Sequence, residues 1–460
     1  MTLTNADLEG LRTGFSGAIL LPQDPEYDEA RTLFNAMIDV RPRIIAQCVT
    51  ADDVARAVRF ARDAGLAVGV RGGGHGVAGR ALVEDGLVID LRRMHSVAVD
   101  PAARLATVGG GATMSHLDRA TEPHGLAAAG GRVSSTGVGG YTLGGGDGWF
   151  ARKLGLACDN MVEVELVTAS GEVVLANEDE HDELFWALHG GGGNFGVATS
   201  FTVRLHEMPR VTVAMPMWRP EAARDRLRAY RDFMRGAPDE VGGGAFYITG
   251  PEEEFVPPNL VGGLTFALLF FYTGPESEAK RVLAHMLDMG HDGLLLAEVS
   301  HADAQCMFDD PPGFRNYWSA EYLDDLPDEA VDRFCAWAAD MIVPSASQHV
   351  LIPGGGAQAR GPADYPIPWR RAPWCAHPFG LWTDPADDER GIQWARDVRG
   401  DLAPWASGDV YLNFIGDEGQ DRVVAGFGAA NYERLARIKA RCDPDNLFRS
   451  NHNIKPAVAA

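Results

Sequence analysis

Apolar residues recur at helical spacing at 54, 57, 58, 61 and 64, directly after Thr50-Ala51-Asp52-Asp53. A threonine followed three residues later by an acid is a capping-box pattern, so a helix is predicted to start there. Gly65 is placed to end it. Residues 66–70 then read as a buried strand running into Arg71-Gly72-Gly73-Gly74-His75-Gly76. Short strands follow at 86–91, 96–99 and 105–108, a helix at 113–122, a hairpin from 163–168 and 171–175, and a helix at 182–188. The first 35 or so residues are weakly periodic and predict no element. Beyond about 209 the texture changes to aromatic-rich strands at 211–218, 245–249, 264–272, 348–352, 374–382 and 409–415. Helices are predicted between them at 220–234, 276–289 and 328–341, and a last one at 431–442 stops at Asp443-Pro444. Strands and helices interleave without strict alternation, which is an α+β pattern. The later strands, separated by helices, predict one antiparallel sheet backed by helices. No fixed period links the segments, so this is no repeat protein.

At 460 residues the chain is long enough for two or three domains. The 54 glycines are about 12 % of it, against an ordinary ~7 %. The formal charge of −23 repels nucleic acid and anionic membrane alike, so neither is expected as a partner. No basic start followed by an apolar run opens the chain, so no leader is expected. The longest apolar run, 264–272, is about half the ~18 residues a membrane span needs. The six cysteines, at 48, 158, 306, 335, 375 and 442, lack C-x-x-C spacing. They read as reduced thiols of a cytoplasmic protein, and no metal site is expected.

Glycine clusters at 72–76, 109–111, 137–148 and 190–196 carry the candidate chemistry. Such clusters let main-chain N–H groups approach a ligand closely, as a pyrophosphate cradle requires. The G-x-x-x-x-G-K-[ST] motif is absent, so this is no P-loop nucleotidase. Two G-x-G-x-x-G matches occur, at 74–79 and 191–196. The first follows a strand but opens no helix, and the second opens a strand, so neither has the context of a nicotinamide-binding Rossmann turn. His75 lies inside the first cluster, beside whatever that loop binds. At 409–415, a period of two places Tyr411 and Asn413 on one face and Val410, Leu412 and Phe414 on the other. Two polar side chains on one face of an apolar strand are either solvated or lining a site.

Val70-Arg71-Gly72-Gly73-Gly74-His75, the run 136–146, the run 152–160 and Gly190-Gly191-Gly192-Gly193-Asn194-Phe195-Gly196-Val197 occur in order. Near the end come Tyr411-Leu412-Asn413-Phe414, Asn431-Tyr432-Glu433-Arg434-Leu435 and Asp443-Pro444-Asp445-Asn446-Leu447-Phe448. From about 37 to 456 the set resembles the berberine-bridge-enzyme-like FAD-linked oxidases of the vanillyl-alcohol-oxidase superfamily. The resemblance implies a two-part PCMH-type FAD-binding domain, 1–208 with the segment 420–460 returning to it. Between them, 209–419 would be a substrate domain whose antiparallel sheet roofs the flavin. His75 matches the family histidine joined covalently to FAD. Arg71, Gly72, Gly73, Gly74 and Gly76, with Ser134, Ser135, Thr136, Gly137, Gly139 and Gly140, would wrap the pyrophosphate. Tyr141, Gly146 and Val197 would also contact the cofactor.

Many members carry a second covalent link through a cysteine, but Val133 stands at that position here and Cys158 is too far along. One bond is therefore expected. Tyr141 and Asp147 replace a usual histidine and a usual aromatic. In this family the pair matching Tyr411 and Asn413 faces the isoalloxazine. Tyr411 would deprotonate or orient substrate and Asn413 would hydrogen-bond the flavin. His377 and His349 are further candidates, and Trp218, Tyr247, Tyr317, Trp318, Trp369, Trp374 and Trp382 could line a pocket. Val138 resembles the small residue beside the oxygen-reacting face. The implied activity is hydride removal from a C–H bond of an alcohol, amine or activated carbon in a small organic substrate, a secondary metabolite, with O2 reduced to H2O2. The alternatives are a dehydrogenase with another acceptor and a non-catalytic flavin-binding protein. A monomer or homodimer is expected.

Overall fold

The computed structural model describes residues 5–458, and three large sheets organise them, beside a two-stranded pairing of Leu126–Ala127 with His206–Glu207. The first has four strands in the order Ala18–Leu20, Ile44–Gln47, Leu87–Asp90, Val68–Arg71. The last three run parallel. The helix Ala51–Asp63 buries Val54, Ala57, Val58 and Ala61, the stripe read from the sequence. Its cap is half a box. Thr50 accepts from the Asp53 N–H at 3.1 Å, but the Asp53 carboxylate accepts from Ser16 N (2.7 Å) and Val49 N (3.0 Å), tying the helix start to the chain before it.

The second sheet is antiparallel, in the order Val97–Asp100, Leu105–Gly109, Val197–Arg204, Met161–Val167, Val173–Ala176. Its central strand is the one that the second glycine motif feeds. The third sheet has eight strands, all antiparallel, and includes Val211–Trp218, Val241–Thr249, Leu264–Tyr272, Gln348–Pro353 and Trp374–Trp382. Successive side chains on a strand point to opposite faces. Tyr247 and Phe270 accordingly pack under the helices Ala223–Met234, Asp328–Trp337 and Asp388–Leu402, while Phe246 and Leu269 face the other way, toward Trp149. The mixed helix-and-sheet architecture, with an antiparallel sheet backed by helices, is the one expected.

Residues 409–415 depart from expectation. They form no strand but a 3-10 turn, Leu412–Phe414, in which Phe414 N donates to Tyr411 O at 2.9 Å. The local bond takes the carbonyl that a sheet partner would need. Among the described residues, Phe414 therefore shares a wall with Tyr411 (ring centroids 4.6 Å apart) rather than facing away from it. The C-terminal helices Gln420–Phe427 and Ala429–Cys442 lead back to the loop 190–196. Lys439 Nζ donates to Asn194 O (2.7 Å), and Ile454 N donates to Asn194 Oδ1 (2.9 Å). No helix among the described residues is long and apolar enough to cross a membrane.

Candidate active site

A cavity of about 820 Å³ lies between the third sheet and the glycine loops, near the upper end of the ~300–1,000 Å³ usual for ligand pockets. All four glycine clusters contribute to its wall. A Cβ on Gly73 would overlap the main-chain nitrogen of Gly137, so the two loops meet only because both lack side chains. Gly74 takes φ +76°. Among the described residues, the N–H groups of Gly73, Gly74, His75 and Gly76 donate to no protein acceptor. Consecutive unpaired amides in a tight loop form an anion-binding nest.

His75 lines the cavity, its Nε2 2.8 Å from Ser135 Oγ and its ring stacked on Phe34 at 4.1 Å. Burial draws the imidazole down to about 4, so it is neutral at pH 7. Thr136, Gly137, Gly139, Gly140, Tyr141 and Val197 also line the cavity, as do Gly72 and Gly76. Tyr141 donates its hydroxyl to Gly130 O at 2.9 Å.

Four of the residues expected at the cofactor, Arg71, Ser134, Ser135 and Gly146, do not line the cavity itself. Arg71 is buried and donates to the carbonyls of Ala30 and Thr32, bracing the loop from outside. Ser134 is tied to Asp309 through both its N–H and its hydroxyl. Ser135 supports His75. Gly146 packs against Ala157 and Tyr141, and its N–H points at Tyr411. Val138 is buried in the core and does not line the cavity, so it offers no oxygen-facing surface there. Val133 does line it, whereas Cys158 is buried elsewhere with its thiol pushed well up by desolvation.

Tyr411 and Asn413 both line the cavity, brought together by the turn and not by strand alternation. The Tyr411 oxygen accepts from Gly146 N (3.1 Å), Asp147 N (3.3 Å) and Asn413 Nδ2 (3.1 Å). A Cβ on Gly144 would occupy the place of the Asn413 amide. Burial first, then the Asp147 charge, raise the Tyr411 phenol well above its ordinary value, while the three donors oppose them. Its ring lies 4.3 Å from Trp369.

His377 lines the cavity, stacked on Phe414 at 4.3 Å and held through Nδ1 by Ser319 O at 2.8 Å. His349 is on the helix-covered face, stacked on Phe334 at 3.8 Å, and takes no part. Of the seven aromatics singled out, Trp318 alone lines the cavity. Sequence reasoning passed over Arg132, Trp149 and the run 450–452, all on the wall. A charged residue inside a glycine-rich run was the available signal for Arg132. Nothing in the local sequence marks 450–452, which the fold brings in from the far end of the chain.

A family model described as an FAD binding domain matches residues 42–177, and one described as berberine and berberine-like matches 410–455. The first contains the nest and the second contains Tyr411 and Asn413. The (R)-6-hydroxynicotine oxidase of Paenarthrobacter nicotinovorans is 31% identical over 456 residues, which is 96% of this chain and 97% of that protein. A crystal structure of 6-hydroxy-D-nicotine oxidase from Arthrobacter nicotinovorans has a TM-score of 0.85 at 28% identity, covering 96% of this chain and 98% of that one. A structure of a Phl p 4 variant, named as a glucose dehydrogenase, shares the fold with a TM-score of 0.85 at 23% identity, covering 98% of this chain and 100% of that one.

Proposed function

The chain belongs to the berberine-like FAD-linked oxidoreductases, and from that membership we propose an oxidase that anchors FAD through one covalent bond at His75. It would remove a hydride from a C–H bond of a small organic substrate and reduce O2 to H2O2. The residues present fit the cofactor. The unpaired amides of 73–76 suit a diphosphate, the glycines let it approach, and a neutral imidazole stands beside them. Val133 on the wall and a buried, un-ionised Cys158 support a single bond.

When bound, FAD supplies the two-electron acceptor for the hydride and the path from it to dioxygen. The substrate loses a hydride from carbon and a proton from the attached oxygen, nitrogen or activated carbon; O2 takes up both electrons and two protons. The protein must receive the substrate proton, and Tyr411 is the group placed to do so. The single observation that carries this role is the convergence of three N–H donors on its oxygen, which stabilises the phenolate against burial. Asn413 holds that oxygen in register with the wall. Met215, Phe246, Leu269 and Leu295 give the sheet side an apolar lining, suited to the ring system of a secondary metabolite.

Tyr411→Phe is expected to slow anaerobic flavin reduction by about 10²-fold or more while flavin stays bound. An unchanged rate removes Tyr411 from the mechanism. With substrate in air, peroxide should accumulate. A flavin that reduces a dye but not oxygen would put the dehydrogenase reading in its place. An identified oxidase at 31% identity over nearly the whole chain favours the oxidase.

A further inference from the structure

Two arginines line this cavity: Arg80 is exposed and paired with Asp417, whereas Arg132 reaches in among aromatic rings. Arg132 is 15% exposed, and its Nη2 donates to Asp147 Oδ2 at 2.9 Å. Its guanidinium carbon lies 5.1 Å from the Trp149 ring centre and 5.3 Å from that of Phe414, so two aromatic faces fix its plane. A guanidinium carries five N–H donors. Here the carboxylate takes one, and Nε is buried with no partner. Arg132, Asp147, Trp149 and Phe414 all line the cavity. Asp147 also donates its main-chain N–H to the Tyr411 oxygen, so one residue joins the cation to the candidate base.

A buried cation held on one side and unsatisfied on another is costly unless a ligand completes it. The rings around it accept an apolar, planar body but offer no acceptor for the remaining N–H groups. Resting on the reading of this cavity as the substrate site, we propose that Arg132 is its substrate-recognising group. The substrate is then a planar, apolar ring compound bearing an anionic oxygen, either a carboxylate or an ionised phenol. Arg132 grips that oxygen while Asp147 holds the guanidinium in place, and the reacting C–H bond is turned toward Tyr411. The acidic side chains on the same cavity, Glu253, Asp309 and Asp310, do not compete at this point. Glu253 and Asp309 are exposed at the rim, and Asp310 is held by Gln348 at 3.0 Å.

The test uses flavin-loaded protein and four probes of one shape: 2-naphthoate, 2-naphthol, neutral 2-naphthamide and cationic 2-naphthylmethylamine. Binding is read both from flavin absorbance and from tryptophan fluorescence, since Trp149 touches the guanidinium. The wild type should bind naphthoate more tightly than naphthamide. Arg132→Met should weaken naphthoate by about tenfold or more, as expected for a charge-assisted hydrogen bond, and leave naphthamide unchanged. Arg132→Lys should restore part of the loss, and Asp147→Asn should tighten naphthoate by removing the competing anion. Naphthol binding that rises with pH assigns the phenolate arm, while binding of naphthoate alone assigns the carboxylate arm. Equal losses for charged and neutral probes, or no loss, overturn the inference, and so does preference for the amine, which would assign recognition to the acidic rim. A colourless protein sinks the FAD reading instead, and the fluorescence arm still reports on Arg132.

Discussion

At the scale of single residues, Tyr411 is the meeting point of opposed effects. Two main-chain N–H groups and the Asn413 amide favour its phenolate, and burial with the Asp147 carboxylate disfavours it. Asp147 is itself raised by burial and drawn back by Arg132. The sign of a charge change follows. Asp147→Asn deletes the anion that raises the phenol but keeps the main-chain donor, so Tyr411 ionises at lower pH. Because the base works deprotonated, the rising limb of flavin reduction against pH should move to lower pH in Asp147→Asn. A limb that stays in place, or moves up, would show that the titrating base is not coupled to Asp147. His75, most of the glycines and Asn413 were placed in advance by their motifs and the family resemblance and do line the cavity, although Asn413 arrives there by a turn and not by strand alternation. Arg132 was not. Its meaning depends on Trp149 and Phe414, which the chain supplies before and after the strands of the third sheet.

At the scale of elements, long apolar segments announced themselves. Val211–Trp218, Leu264–Tyr272, Trp374–Trp382 and Asp182–Leu188 stand where apolar pattern and length place them. Segments 315–318 and 388–402 escaped, the first for shortness and the second because its leading half is polar and interrupted by Gly391. The turn at 412–414 was read as a strand because alternation alone does not show whether a partner edge exists. His349, on the strand Gln348–Pro353, illustrates what a buried face imposes. Its Nε2 is 2.9 Å from Phe334 O, its Nδ1 is unpartnered, and burial draws it down to about 4. The unfolded chain binds that proton near 6.5, so between about 6.5 and 4 only the unfolded state takes it up. Stability is present above that window and is lost as pH falls through it, by up to about 1.4 kcal/mol per pH unit for one such group. His349→Phe keeps the stacking and removes the titration. Its melting temperature should therefore fall less than that of the wild type between pH 6.5 and 4; parallel curves would mean that His349 is charged, or solvated, in the folded protein.

At the scale of the whole molecule, the cofactor wall is assembled from distant parts of the chain, and one fully buried lysine fastens two of them. Lys439 Nζ donates to Asn194 O (2.7 Å), Asp443 Oδ2 (2.8 Å) and Phe448 O (2.8 Å), which locks the C-terminal helix against the loop 190–196. Lys439→Met leaves Asp443 charged and buried without its cation. A cost of about 3–5 kcal/mol is expected, seen as a lower denaturant midpoint together with loss of bound flavin. An unchanged midpoint would mean that the C-terminal segment is not needed to hold the wall. The antiparallel sheet, its helical backing and the glycine cradle were readable in advance from pattern and resemblance. The convergence of 72–76, 137–147, 190–197, 411–414 and 450–452 on one cavity was not, since it is a property of chain crossing rather than of any segment. The most direct test of the proposed single bond at His75 within that cavity is whether flavin stays with the polypeptide after acid precipitation of the purified protein. A yellow pellet that His75→Ala turns colourless, and that Cys158→Ala leaves yellow, is the predicted result. Flavin recovered wholly in the supernatant of the wild type would contradict it.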